Sequence, residues 1–294
     1  MGKRFFFVFL IWAGFVHNIA FAQNKNLNSS VKDSAFPFFP AMSLENPINS
    51  GQLGVIVIGG TVENKTRIAN QPDANAGIYI GLGEPEKLIG AGATVNIYGL
   101  SNKEGQKDNL GEGSLGLHLN KFFLHNRLLL EGGVENLFLW RAYPDDWQYI
   151  TYQRSFYFSG NYLFYIKPKS LQKPFSYVSI TAGVGNGFFR SDKNYTAGRS
   201  GSFDPFFSLA TPVIKGTNII AEWNGYDVGL GVSSIPFQKI PFEFSLAVTD
   251  LVFGNPRIVS SVSFPFNFIK RNKPRTGLPL RPIGIRPVRS ERTM

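Results

Sequence analysis

The sequence predicts an all-β chain that closes into an antiparallel transmembrane β-barrel of about twelve strands, with short periplasmic turns and longer extracellular loops. Three observations carry this. Side chains alternate apolar and polar along segment after segment, which gives each strand one dry and one wet face. The alternating segments have the length of about nine to eleven residues, or a little more, that a tilted membrane strand requires. Their connections alternate long and short, as in bacterial barrels, where turns face the periplasm and loops face outward.

The N-terminus sets the compartment. Lys3 and Arg4 precede an apolar core from Phe5 to Trp12, and Ala20-Phe21-Ala22 forms a small-x-small cleavage site before Gln23. Residues 1–22 therefore read as a cleaved secretory signal that passes the Sec pathway, since the apolar stretch is too short for a membrane anchor. The chain has no cysteine, which excludes a lipid-modified cysteine, disulfides and thiolate chemistry. Residues 23–50, polar and then broken by prolines at Pro37 and Pro40, read as a periplasmic lead-in tucked under the barrel mouth.

The barrel is expected over 51–268, with strands at about 52–60, 74–82, 88–98, 111–121, 127–140, 153–166, 175–186, 203–213, 217–224, 225–236, 240–250 and 257–268. The third strand sets Ala91, Ala93, Val95 and Ile97 against Gly90, Gly92, Thr94 and Asn96. In the fourth, Leu115, Leu117 and Leu119 oppose Ser114, Gly116, His118 and Asn120. In the seventh, Val178, Ile180, Ala182 and Val184 oppose Ser179, Thr181, Gly183 and Gly185. Val228, Leu230 and Val232 oppose Asp227, Gly229, Gly231 and Ser233, and Phe244, Leu246 and Val248 oppose Glu243, Ser245, Ala247 and Thr249. The first strand, with Val55, Ile56, Val57 and Ile58, is apolar on both faces and departs from the rule. Long gaps at 61–73, 99–110, 141–152 and 187–202 alternate with short ones at 83–87, 122–126, 167–174 and 214–216. Asn224-Gly225 reads as a tight two-residue hairpin, which makes the outer rim low on that side.

A secreted, soluble β-sandwich also alternates, with its apolar face inward. The length of the strands, a wet face of small residues and acids with few lysines, and aromatics near strand ends (Tyr98, Trp140, Trp223, Tyr226) favour the barrel. The last strand adds an aromatic row, Val262, Phe264, Phe266 and Phe268. It resembles the C-terminal signal strand of outer-membrane proteins, which implies the barrel assembly machinery and outer-membrane lipid as partners. Here further residues follow Phe268.

The formal charge of +10 is unevenly spread. Residues 269–294 form a proline-rich tail carrying Lys270, Arg271, Lys273, Arg275, Arg281, Arg286, Arg289 and Arg292 against one acid, Glu291. Once tail and signal are set aside the body is almost neutral, so no distributed nucleic-acid footprint exists. Prolines at this density exclude helix and favour extended backbone. The tail reads as a solvated end, as a strap for an acidic periplasmic partner or cell-wall polymer, or as a plug entering the acidic lumen.

Catalysis is weakly supported. His118 and Ser114 share the wet face of one strand, but residues four apart on a strand stand about 13 Å apart, beyond hydrogen-bond reach. His125 falls in a turn. Gly183-x-Gly185-x-Gly187 lacks the lysine and helix start of a phosphate loop, and the loop aspartates, Asp145-Asp146 among them, lack calcium-loop spacing. The glycines instead permit close packing in a curved wall. No catalytic residue, metal site or cofactor is assigned. Glu112, Glu131, Glu135, Glu222, Asp227 and Glu243 project to the wet face. They read either as a cation path through a narrow pore or as members of a closed lumen cross-linked to Arg127, Arg141, Arg154 or Arg257.

Ala221-Glu222-Trp223-Asn224-Gly225-Tyr226-Asp227-Val228-Gly229-Leu230-Gly231-Val232 resembles a strand pair of bacterial envelope barrels similar to the YjbH-like exopolysaccharide-associated family, and Gly133-Val134-Glu135-Asn136-Leu137 is a second point of similarity. The resemblance implies a role near surface polysaccharide export and supplies no binding residues. The expectation is a non-enzymatic, porin-like outer-membrane barrel, a narrow channel or a structural component of the cell envelope. A soluble binding sandwich and a membrane-embedded hydrolase are the alternatives.

Overall fold

A computed structural model describes residues 40–47, 55–65, 72–98, 100, 112–140, 153–167, 173–199, 201–237, 242–253 and 255–267. The signal sequence, the remainder of the lead-in, the tail, Arg141 and Asp145-Asp146 lie outside these residues.

Twelve strands form one closed antiparallel barrel in which each pairs with its sequence neighbours and the last returns to the first. They are β1 (Val55–Glu63), β2 (Asp73–Gly83), β3 (Gly90–Tyr98), β4 (Glu112–Phe123), β5 (Leu128–Trp140), β6 (Ser155–Tyr165), β7 (Tyr177–Gly185), β8 (Asp204–Ile214), β9 (Thr217–Trp223), β10 (Val228–Ser234), β11 (Glu243–Thr249) and β12 (Arg257–Asn267). Between β7 and β8 the chain makes a 3-10 turn, Gly187–Phe189, and a short helix, α1 (Asp192–Thr196). Among the described residues no helix is long and apolar enough to cross a membrane. Closure matters because an open sheet would leave two unpaired edges.

The expected faces hold around the ring. Ile78, Ile80, Leu117, Leu119, Phe156, Phe158, Ile180, Leu230 and Ile258 are exposed on the outside, with Leu119 at 59%. Ser114, His118, Asn120, Ser159, Asn161, Thr181, Ser208 and Ser233 are buried on the inside. The first strand's double apolar face has a plain cause. Ile56 and Ile58 pair with Ile80 and Ile78 on the outer face, while Val55 and Val57 point inward into an apolar cluster with Tyr79, Phe122, Leu129, Leu163 and Tyr177.

Two local features depart from the expected pattern. Leu115 pairs with Phe138 but Leu117 pairs with Val134, so β5 bulges between them. Asn136, at φ 54°, sits in that bulge, and Glu135 and Asn136 are both buried as a result. The hairpin after β9 is not the two-residue turn expected. Trp223 pairs with Val228, leaving a four-residue loop. The Asn224 side-chain oxygen accepts the N–H groups of Tyr226 (3.0 Å) and Asp227 (2.9 Å), which substitutes for a tighter turn. β9, β10 and β11 have seven residues each, so the wall is lowest there.

Candidate functional site

Among the described residues the inward face of the barrel collects polar side chains, and three of their groupings bear on function. The first lies along β9–β11. Residues 40–47 run inside the barrel, and Ala41, Met42, Ser43, Leu44 and Asn46 are all buried. The segment rises from the end of the short turns toward the end of the long loops. Near its start Asn218 donates to the carbonyls of Pro40 (3.1 Å) and Ala41 (3.0 Å). Ser233 also donates to Ala41 O, at 2.8 Å. The Ala41 N–H donates to Glu243 Oε1 at 2.6 Å. Higher up, Glu222 accepts from the N–H groups of Leu44 (2.7 Å), Glu45 (2.5 Å) and Asn46 (3.2 Å). At the top the Glu45 carboxylate meets Arg257 and the Asn224 side-chain amide. The Pro47 carbonyl then accepts from Ser159 on β6.

A lead-in inside the lumen was not expected from the sequence, and the wall explains why it fits. Leu44 lies over Gly229 and Gly231 of β10. A Cβ added at Gly231 would stand 2.8 Å from a Leu44 methyl, and one at Gly229 would stand 3.2 Å from the other.

The second grouping surrounds His118 at mid-height. Its neighbours across the ladders are Gly92 on β3 and Gly133 on β5. The absent side chains make room for two rings that converge on the imidazole, Tyr79 at 6.2 Å and Tyr157 at 6.1 Å between centroids. His118 Nε2 lies 2.7 Å from Thr94 Oγ1, and Nδ1 lies 2.6 Å from the Tyr157 hydroxyl. That hydroxyl donates to Glu131 in a short hydrogen bond. Glu131 and Glu135 each stand 3.8 Å from one imidazole nitrogen. Ser114 is engaged elsewhere, with Tyr98 at 2.9 Å and Asn96 at 3.4 Å, so a serine–histidine pair does not form.

The third grouping is an ionic knot at the long-loop end. Arg257 of β12 binds Glu45 (2.9 Å), Asp250 (2.6 Å) and Glu63 of β1, and so ties the last strand to the first and to the inner segment. Beside it Asp227 accepts the N–H groups of Val228 (2.6 Å), Val252 (2.9 Å) and Phe253 (2.7 Å).

All six acids singled out in the sequence face inward and are buried. Glu131 and Glu135 meet at His118, and Glu222 and Glu243 meet at the inner segment. Asp227 serves the rim loop, and Glu112 lies opposite Tyr98 at the long-loop end of β4. Of the arginine partners expected for them, Arg141 lies outside the described residues, and the other three are engaged otherwise. Arg257 takes Glu45, Glu63 and Asp250, Arg127 lies over the Tyr165 ring at 5.5 Å, and Arg154 donates to the Leu137 carbonyl. Sequence reasoning missed Tyr157, Thr94, Asn218 and the inner segment. An inward glycine directly opposite an inward aromatic, as at Gly133–Tyr157 and Gly183–Phe206, was the signal available for the rings.

No family model matches the chain, and no curated protein matches it. Among solved structures it is similar to the KdgM porin in complex with disordered oligogalacturonate, at 9% identity and a TM-score of 0.41, over 71% of this chain and 98% of that one. It is also similar to the COG4313 outer membrane channel from Pseudomonas putida F1, at 8% identity and a TM-score of 0.43, over 73% and 96%. A third likeness is to outer membrane phospholipase A from Escherichia coli, at 12% identity and a TM-score of 0.36, over 71% and 91%. The resemblance to the YjbH-like family gains no support from these comparisons.

Proposed function

We propose that this chain is a non-enzymatic bacterial outer-membrane barrel that acts as a narrow channel, closed in the state described here. The carrying observation is the inversion of the wall: exposed apolar side chains encircle the outside, while buried acids, amides and hydroxyls line the inside. A continuous exposed apolar surface of this kind has no place on a soluble monomer and matches the lipid face of a membrane barrel. The filled interior also favours a second reading, a structural barrel of an envelope assembly that conducts nothing. Association with surface-polysaccharide export, supported by the Ala221–Val232 resemblance, is the finer part of the proposal. Export by the Sec route rests on the N-terminal pattern, and partner binding by the basic tail on its charge.

The test is fractionation followed by planar-bilayer recording of the purified protein. The channel reading expects outer-membrane localisation, a need for detergent, and brief conductance steps on a closed baseline. A folded barrel that gives no steps under any voltage leaves the structural reading. A chain that stays soluble and monomeric without detergent removes both. Unchanged polysaccharide secretion in a deletion strain removes the export link.

A further inference from the structure

We propose that residues 40–47 are a withdrawable plug and that the lumen face of β9–β11 is its receptor groove. The hold is unusual in kind. Among the described residues the segment's backbone is held by side chains, Glu222, Glu243, Asn218 and Ser233 of β9–β11, Ser159 of β6 and its own Ser43, and not by a strand ladder. β9, β10 and β11 meanwhile pair with one another and with β8 and β12 along their lengths. Withdrawal therefore breaks no ladder, and the barrel wall survives it. The groove reads backbone more than sequence, because two carboxylates accept four main-chain N–H groups. Register comes from Leu44, seated over Gly229 and Gly231, and from Glu45 at Arg257. When the segment leaves, water replaces those donors on the carboxylates, which need solvation or hydrogen bonds once charged. Glu222 and Glu243 would then line a wetted passage, which joins the acid-lined pore and the closed lumen as two states of one barrel.

The consequence for flow rests on the channel reading, but the seating does not, and the two are measured separately. The chain has no cysteine, so Met42→Cys places a single thiol on the buried segment. Its labelling by a bulky water-soluble maleimide reports withdrawal. Two second substitutions loosen the seat. Gly231→Leu fills the space of the Leu44 side chain and also presses on Ala247 and the Leu246 carbonyl of β11, whereas Glu222→Gln sets an amide where a carboxylate accepted three N–H groups, with no change of shape. We expect slow labelling of Met42→Cys alone and at least a tenfold faster rate in each double variant, with barrels that retain heat-modifiable migration. The proposal is overturned by a rate in folded Glu222→Gln barrels within twofold of Met42→Cys alone, or by labelling that is already fast without the second change. Faster labelling with no gain in conductance keeps the plug and removes the channel.

Discussion

Tyr157 spans the gap left by Gly133 and brings its hydroxyl within 2.6 Å of Nδ1 of His118. A side chain at position 133 would occupy that path, since an added Cβ would stand 2.6 Å from the Tyr157 oxygen. The glycine, the ring and the imidazole thus form one joint across β4, β5 and β6. Tyr157→Phe removes the hydroxyl that serves both His118 and Glu131 and leaves buried polar atoms without it. A loss of about 1–3 kcal/mol is expected. Guanidinium unfolding in detergent, followed by tryptophan fluorescence, measures it, and no loss would mean the joint contributes nothing to stability.

Arg257 supports three carboxylates that are all nearly excluded from solvent. Arg257→Gln strands them together, and breaking buried pairs in this way costs about 3–5 kcal/mol. Glu45→Gln, which keeps the arginine paired with Glu63 and Asp250, should cost much less. The temperature at which the barrel loses its compact migration in detergent gels ranks the two. Equal effects would show that Glu45 bears the whole load.

Charge on the outer wall should be punished by depth. Leu117 lies at mid-height of β4 and Phe123 at its end, both pointing outward. Leu117→Arg is expected to cost about 2–4 kcal/mol and Phe123→Arg about 0–1 kcal/mol in a bilayer. Reversible unfolding from lipid vesicles provides the comparison. Indifference at both positions would contradict a lipid-facing wall.

Asp227 pins the rim loop through Val252 and Phe253. Asp227→Asn retains one acceptor oxygen and loses the charge, so the effect should stay local. Hydrogen exchange at 252 and 253 should quicken by about tenfold or more, as expected when about 1.4 kcal/mol of local protection goes. Global unfolding should move little. Unchanged exchange would mean that the loop is held by other contacts.

The strands and their faces were legible because alternation answers directly to a two-sided wall. His118, Ser114, Glu131 and Glu222 point where the pattern sends them. The inner segment was not legible for a physical reason. Its carboxylate partners meet main-chain N–H groups, which every residue but proline has, so no complementary side-chain charge marks it in the sequence. Arg257, expected opposite those acids, binds Glu45, Glu63 and Asp250 instead. Val55 and Val57 looked like an irregular strand until Tyr79 and Leu163 provided an apolar layer inside. The bulge at Asn136 escaped notice because a positive φ at a residue other than glycine leaves little trace in composition.

The three short strands have a mechanical consequence for whatever bilayer surrounds them. Seven residues at about 3.3 Å each, inclined by about 40°, climb only about 18 Å, whereas the oily band of a membrane barrel is about 25 Å tall. Neighbouring acyl chains must shorten and splay on that flank, or the whole cylinder must lean until its low side is covered. Either adjustment gives the molecule a preferred flank, and the softest lipid around it lies just outside the wall against which the inner segment rests.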